Sequence, residues 1–134
     1  MAEYFLDTNI LIEILRNNSV VLNCVRRVTL DRHDIRINAL SYYETRRGLL
    51  SVGQASTLRT FDSFCHIFGV VHLDQAALDR ACQIYLDLKK RGQLIEDADI
   101  LIAAITLANK ATLVTDNINH FQRIGTLRVE NWMR

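Results

Sequence analysis

The chain has 134 residues, of which 16 are basic and 15 acidic, for a formal net charge of +1 at neutral pH. Apolar residues make up 49% and charged residues 23%, a globular balance that excludes a disordered chain. Near-neutrality also excludes a basic coat, so any contact with nucleic acid must come from a local patch.

At this length folding buries roughly two-thirds of the chain's surface, enough for one domain over 1–134. Cys24, Cys65 and Cys82 are an odd number without a C-x-x-C pair, which argues against a disulfide framework or a zinc site and suits a reducing cytoplasm. Cys82 lies in an apolar helical run and is expected to be buried. Glu3 and Asp7 interrupt the amino-terminal apolar stretch, so no signal peptide is expected. The apolar runs fall short of the roughly 20 residues a membrane span requires. A soluble cytoplasmic protein is expected.

Residues 4–6 are a short apolar run ending at Asp7 and read as a buried strand. Residues 9–15 and 19–30 read as helices, 35–37 as an alternating strand, 41–50 and 54–68 as helices, and 70–73 as a strand. Residues 74–90 carry a long amphipathic pattern closed by Lys89, Lys90, Arg91 and Gly92, cations in a last turn before a glycine stop. Residues 100–108 are apolar almost all round and should be buried. A strand at 112–114, a short helix near His120 and a last strand at 127–129 follow, with Trp132 closing the core. Strands separated by helices imply right-handed crossovers and a three-layer α/β/α domain around a mainly parallel sheet.

In such a sheet the functional crevice lies at the carboxyl ends of the strands. Asp7 ends the first strand and Asp116 follows the strand at 112–114, so both carboxylates point toward one crevice. Helix capping explains Asp7 equally well. Glu44 fits a capping box with Ser41, and a bond back to that cap is its plainer role. The run Glu96-Asp97-Ala98-Asp99 precedes the most apolar helix, where acids are also favoured by the macrodipole. Positions 97 and 99 are about 200° apart around a helix, so only one faces the crevice. Asp99, next to the buried run, takes the inward role, and Asp97 the cap or outer position.

Two carboxylates about 5 Å apart repel by roughly 3 kcal/mol at an effective dielectric near 20. Gathering Asp7, Glu44, Asp99 and Asp116 therefore calls for protonation or a divalent cation, and Mg2+ or Mn2+ suits oxygen donors. His33, His66, His72 and His120 show no ligand spacing, and surface or packing roles are expected for each.

The residues resemble the PIN-domain nucleases, and among them the VapC-type toxins of toxin–antitoxin pairs. The resemblance runs through residues 5–12 (FLDTNILI), 41–48 (SYYETRRG), 97–104 (DADILIAA), 113–121 (LVTDNINHF) and 127–132 (LRVENW). It implies a Mg2+- or Mn2+-dependent endoribonuclease, a homodimer, neutralised by a cognate antitoxin. Its acids fall here on Asp7, Glu44, Asp99 and a fourth group that is Asp116 or Asn117. Asn9 and Thr115 match small polar positions lining the site, and Arg46 matches an arginine that binds RNA phosphate or else merely faces solvent. The chemistry implied is in-line attack of an activated water on phosphorus, leaving a 5′-phosphate and a 3′-hydroxyl.

Two other classes compete. A phospho-acceptor signalling domain would need a lysine after a late strand, and residues 112–121 contain none. A non-catalytic interaction module of the same fold would keep the core and lose acids, whereas this chain has them.

Overall fold

A computed structural model describes residues 2–134. Five strands form one wholly parallel sheet in the order β3-β2-β1-β4-β5, with β1 at Glu3–Leu6, β2 at Asp34–Asn38, β3 at Val70–Val71, β4 at Thr112–Val114 and β5 at Arg128–Glu130. The helices are α1 (Thr8–Leu15), α2 (Ser19–Leu30), α3 (Ala39–Ser51), α4 (Ala55–Phe68), α5 (Gln75–Lys90), α6 (Asp97–Ala108) and α7 (Ile118–Phe121). The expected three-layer architecture is present.

Strand periodicity sorts the core into two layers. On β1, Leu6 faces one side, where it meets Ile10 and Ile14 of α1, Val21 and Val28 of α2, and Phe61 of α4. Phe5 faces the other, against Ala77 of α5 and Ile105 of α6. β4 alternates likewise, Val114 joining the first layer and Leu113 the second. Both β1 residues are fully buried, each worth about 1.5–3 kcal/mol. Trp132, 2% exposed, closes the first layer against Tyr4.

The chain leaves β1 toward β2 and β3 on one side, then returns to pair β4 with β1 on the other. The order reverses between β1 and β4, and a crevice opens at such a switch point, beyond the carboxyl ends of the strands. Asp7 follows β1 there and Thr115 follows β4.

Several helix ends differ from the sequence reading. α3 starts at Ala39, because the buried Asn38 accepts the Ser41 N–H at 2.9 Å and serves as its N-cap. Ser41 is thus inside the helix, and Glu44 lies in the second turn instead of a capping box. α6 begins at Asp97 and not at residue 100, and its N-cap position is held by Glu96. Asp97 is therefore not the cap. Cys82 is exposed, contrary to expectation. The face of α5 that meets α6 is Ala77, Ala81, Ile84 and Leu88, which turns Leu78, Cys82 and Tyr85 outward although they too are apolar. The glycine stop holds: Gly92 has φ +66°, and the N–H of Gln93 reaches back to Leu88.

Candidate active site

Asp7 is 6% exposed and is both the N-cap of α1 and a member of the crevice. Its Oδ1 accepts the Thr8 N–H at 2.8 Å, and its Oδ2 accepts the Thr115 hydroxyl at 2.7 Å. Capping and site roles, alternatives in the sequence, are carried by different oxygens of one carboxylate. Asn9 extends this cluster, its amide N 3.4 Å from Asp7 Oδ2 and its Oδ1 accepting the Asp116 N–H at 3.1 Å.

Burial pushes the Asp7 carboxyl above its ordinary pKa. The Thr115 and Thr8 hydrogen bonds oppose that shift, while the charges of Asp99 and Glu44 add to it. Those two acids therefore share the crevice with Asp7. Glu44, on α3, receives the Thr8 hydroxyl at 2.8 Å, so adjacent residues Asp7 and Thr8 link the end of β1 to Thr115 after β4 and to Glu44 on α3. Asp99 projects from the first turn of α6, its side chain 18% exposed, with Oδ2 3.0 Å from His120 Nδ1.

Asp97 and Asp99 diverge as their spacing requires. Asp97 is exposed and lines a groove with Leu78, Cys82 and Tyr85 of α5, on another face of α6. The turn after β4 parts its two candidates as well. Thr115 Oγ1 accepts the Asn117 N–H at 2.9 Å, and the Asn117 amide comes within 2.9 Å of His120 Nδ1, beside Asp99. Asp116 turns instead toward the carboxyl-terminal segment, where Asn131 donates to its Oδ1 at 2.9 Å and Arg134 stands 3.8 Å away. Arg46 is likewise apart from the acids. It pairs with Asp62 of α4 and leans over the Tyr42 ring, and two positions along α3 put it about 200° from Glu44.

Thr8 and His120 are site members that the sequence reading did not select. His120 was assigned a surface or packing role, yet it sits on α7 three residues after Asn117, the residue at that helix's N-cap position, and the first turn brings the two side chains together. Thr8 carries no signal beyond its place between Asp7 and Asn9.

The oxygen-rich donor set fits a hard divalent cation, whose charge would offset the cost of ionising the buried Asp7 among two other acids. Among the described residues no three His, Cys, Asp or Glu side chains form a ready-made metal cage. An open crevice accords with Mg2+, which binds one or two carboxylates and keeps several waters.

A parallel sheet with a reversal of order at its centre and three acids over the switch point defines a PIN-type fold. The PIN domain family profile matches residues 4–127, and the chain belongs to that family. Ribonuclease VapC1 of Methanocaldococcus jannaschii is 31% identical over 113 residues, covering 84% of this chain and 81% of that protein. The tRNA(fMet)-specific endonuclease VapC of Shigella flexneri is 28% identical over 133 residues, covering 98% and 99% respectively. The crystal structure of VapBC2 from Rickettsia felis, bound to a DNA fragment from its promoter, superposes with a TM-score of 0.90 at 26% identity, over 97% of this chain and 98% of that one.

Proposed function

We propose that this chain is a VapC-type endoribonuclease toxin, one catalytic domain that hydrolyses RNA phosphodiester bonds with Mg2+ or Mn2+ and is held inactive by a cognate antitoxin. The observation that carries the reading is the meeting of Asp7, Glu44 and Asp99 from three separate elements over the switch point, with the Asp7 carboxyl pushed up chiefly by burial and further by the charges of Asp99 and Glu44. Asp7 caps α1, but capping that helix requires neither Glu44 nor Asp99 beside it. The names of the relatives support RNA as the substrate and an antitoxin as the partner.

In this reading Asp7, Glu44 and Asp99 hold the cation. When bound, the cation neutralises charge on the phosphodiester and lowers the pKa of an attacking water. Thr115 keeps Asp7 Oδ2 aimed into the crevice, and Thr8 does the same for Glu44. Asn9 joins the two strand ends, and Asn117, rather than Asp116, takes the fourth place beside Asp99. Asp97 stays outside the site. Arg46 fastens α3 to α4 through Asp62.

The homodimer has support in the exposed apolar residues Leu78 and Tyr85 on α5. A cytoplasmic setting accords with three free thiols and, among the described residues, with no helix long and apolar enough to cross a membrane. The deciding experiment incubates the protein with total RNA, with and without Mn2+, beside Asp7→Asn. Cleavage that requires both the metal and Asp7 is expected; cleavage indifferent to both would overturn the proposal.

A further inference from the structure

The Asp99–His120–Asn117 contact contains more polar atoms than one hydrogen bond can serve. His120 Nδ1 is 3.0 Å from Asp99 Oδ2 and 2.9 Å from the Asn117 amide. An imidazole nitrogen offers either one N–H or one lone pair in the plane of its ring. If Nδ1 carries the proton and gives it to Asp99, the amide N–H of Asn117 is aimed at another donor. If Nδ1 accepts from Asn117, its lone pair faces the lone pairs of a carboxylate. Turning the Asn117 amide over places its oxygen in the cluster, and the three side chains then present a carboxylate oxygen, an imidazole nitrogen and an amide oxygen to one another.

One proton on Nδ1 is directed well at only one of these neighbours. A cation accepts lone pairs from all of them. The spacing suits that arrangement: ligands about 2.1 Å from an ion at adjacent corners of an octahedron lie about 3.0 Å apart. The tautomer required is also available. The His120 side chain is 39% exposed and, among the described residues, Nε2 has no protein partner, so water solvates the proton there and leaves the Nδ1 lone pair free.

We infer that His120 is a nitrogen ligand of the divalent cation, with Asp99 at the adjacent coordination position, and that this mixed oxygen and nitrogen set favours Mn2+ over Mg2+. The inference rests on the metal-dependent reading of the site and adds a ligand and a preference to it. Mg2+ demands hard oxygen donors, whereas imidazole suits first-row transition ions, so one nitrogen in the shell is enough to shift the balance between the two metals.

The test is Mn2+ binding followed by electron paramagnetic resonance, with pulsed measurements for nitrogen coupled to the bound ion, on the wild type and on His120→Ala, His120→Asp and Asp7→Asn. Circular dichroism checks that each variant folds. Wild-type Mn2+ should show a directly bonded nitrogen. In His120→Ala that coupling should vanish and Mn2+ affinity fall about tenfold or more, with competition by Mg2+ strengthened. His120→Asp, which restores an oxygen donor, should bind Mn2+ without the nitrogen signal and shift preference toward Mg2+. Mn2+ bound by wild type and lost in Asp7→Asn, but with no nitrogen coupling, would overturn the inference and leave the metal site standing. No Mn2+ binding by wild type would overturn both.

Discussion

The hydroxyl of Thr115 donates to Asp7 Oδ2 at 2.7 Å and joins residues 108 positions apart in the chain. The same oxygen accepts the Asn117 N–H at 2.9 Å, so one threonine aims the buried acid and turns the chain leaving β4 toward Asp99. Replacing it by valine keeps the shape and removes both bonds, along with the 3.4 Å contact from the Asn9 amide. Thr115→Val should cost about 1–3 kcal/mol in denaturant unfolding. It also removes an interaction that favours the charged form of Asp7, so the acidic limb of the pH–activity profile should move to higher pH. An unmoved limb would mean that Thr115 does not tune Asp7.

Asp7 makes the metal-free protein sensitive to pH. Burial holds its folded pKa above the unfolded value, so the folded chain keeps a proton that the unfolded chain releases. Its contribution is fully present below the unfolded pKa and is lost as pH rises through the raised folded value. Asn does not titrate, so the melting temperature of Asp7→Asn minus that of wild type should climb with pH across that window. At neutral pH, added Mn2+ at a hundred times its Kd should stabilise wild type by about 2.7 kcal/mol and the variant by far less. A difference in melting temperature that is flat with pH would contradict the shift.

Thr8 provides a cleaner test of site geometry, since its hydroxyl reaches Glu44 without touching the core. Thr8→Val should lower Mn2+ affinity or cleavage by roughly tenfold to a hundredfold, the usual cost of losing a group that orients a metal-binding carboxylate. Isothermal titration and an RNA cleavage assay read the two quantities. Unchanged values would mean that Glu44 is oriented without Thr8.

The acids that the sequence offers in excess should separate by substitution. Asp99→Asn should abolish cleavage while Asp97→Asn, altered on an exposed face of α6, leaves it nearly intact. Asn117→Leu should impair cleavage more than Asp116→Asn, whose chief partners are Asn131 and Arg134. The reverse ranking in either pair, read as kcat/KM on one RNA, would reassign the site.

Arg46 is expected to matter little for RNA. Binding by single-stranded nucleic acid loses about 0.7 in its log–log salt slope for each phosphate contact removed. For Arg46→Ala, made in an Asp7→Asn background to prevent cleavage, the slope should not change. A drop of that size would show that the guanidinium leaves Asp62 to bind phosphate.

The layered fold was legible because burial imposes its own period on the residues. α2 and β4 lie where the pattern predicts, at Ser19–Leu30 and Thr112–Val114, and the acids at the ends of β1 and β4 follow from strand position. The start of α6 was only partly legible: the macrodipole favours acids in a first turn, but the apolar run begins at residue 100 and Asp97 read as the cap or an outer residue, whereas Glu96 holds the N-cap position. Cys82 was misread because the apolar stripe of α5 is wider than the face that α6 covers.

The amino-acid order alone determined which carboxylates were available, because strand ends and the most apolar helix are local patterns that solvent exclusion enforces. It left open which of them meet. Asp116 and Asn117 are neighbours in the chain, and what parts them is the Thr115 hydroxyl on one side and Asn131 on the other. His120 reaches Asp99 only because α7 folds back against α6. Such contacts depend on distances between elements far apart in sequence, and hydrogen bonds a few ångströms long are set by packing, to which no periodicity in the chain gives access.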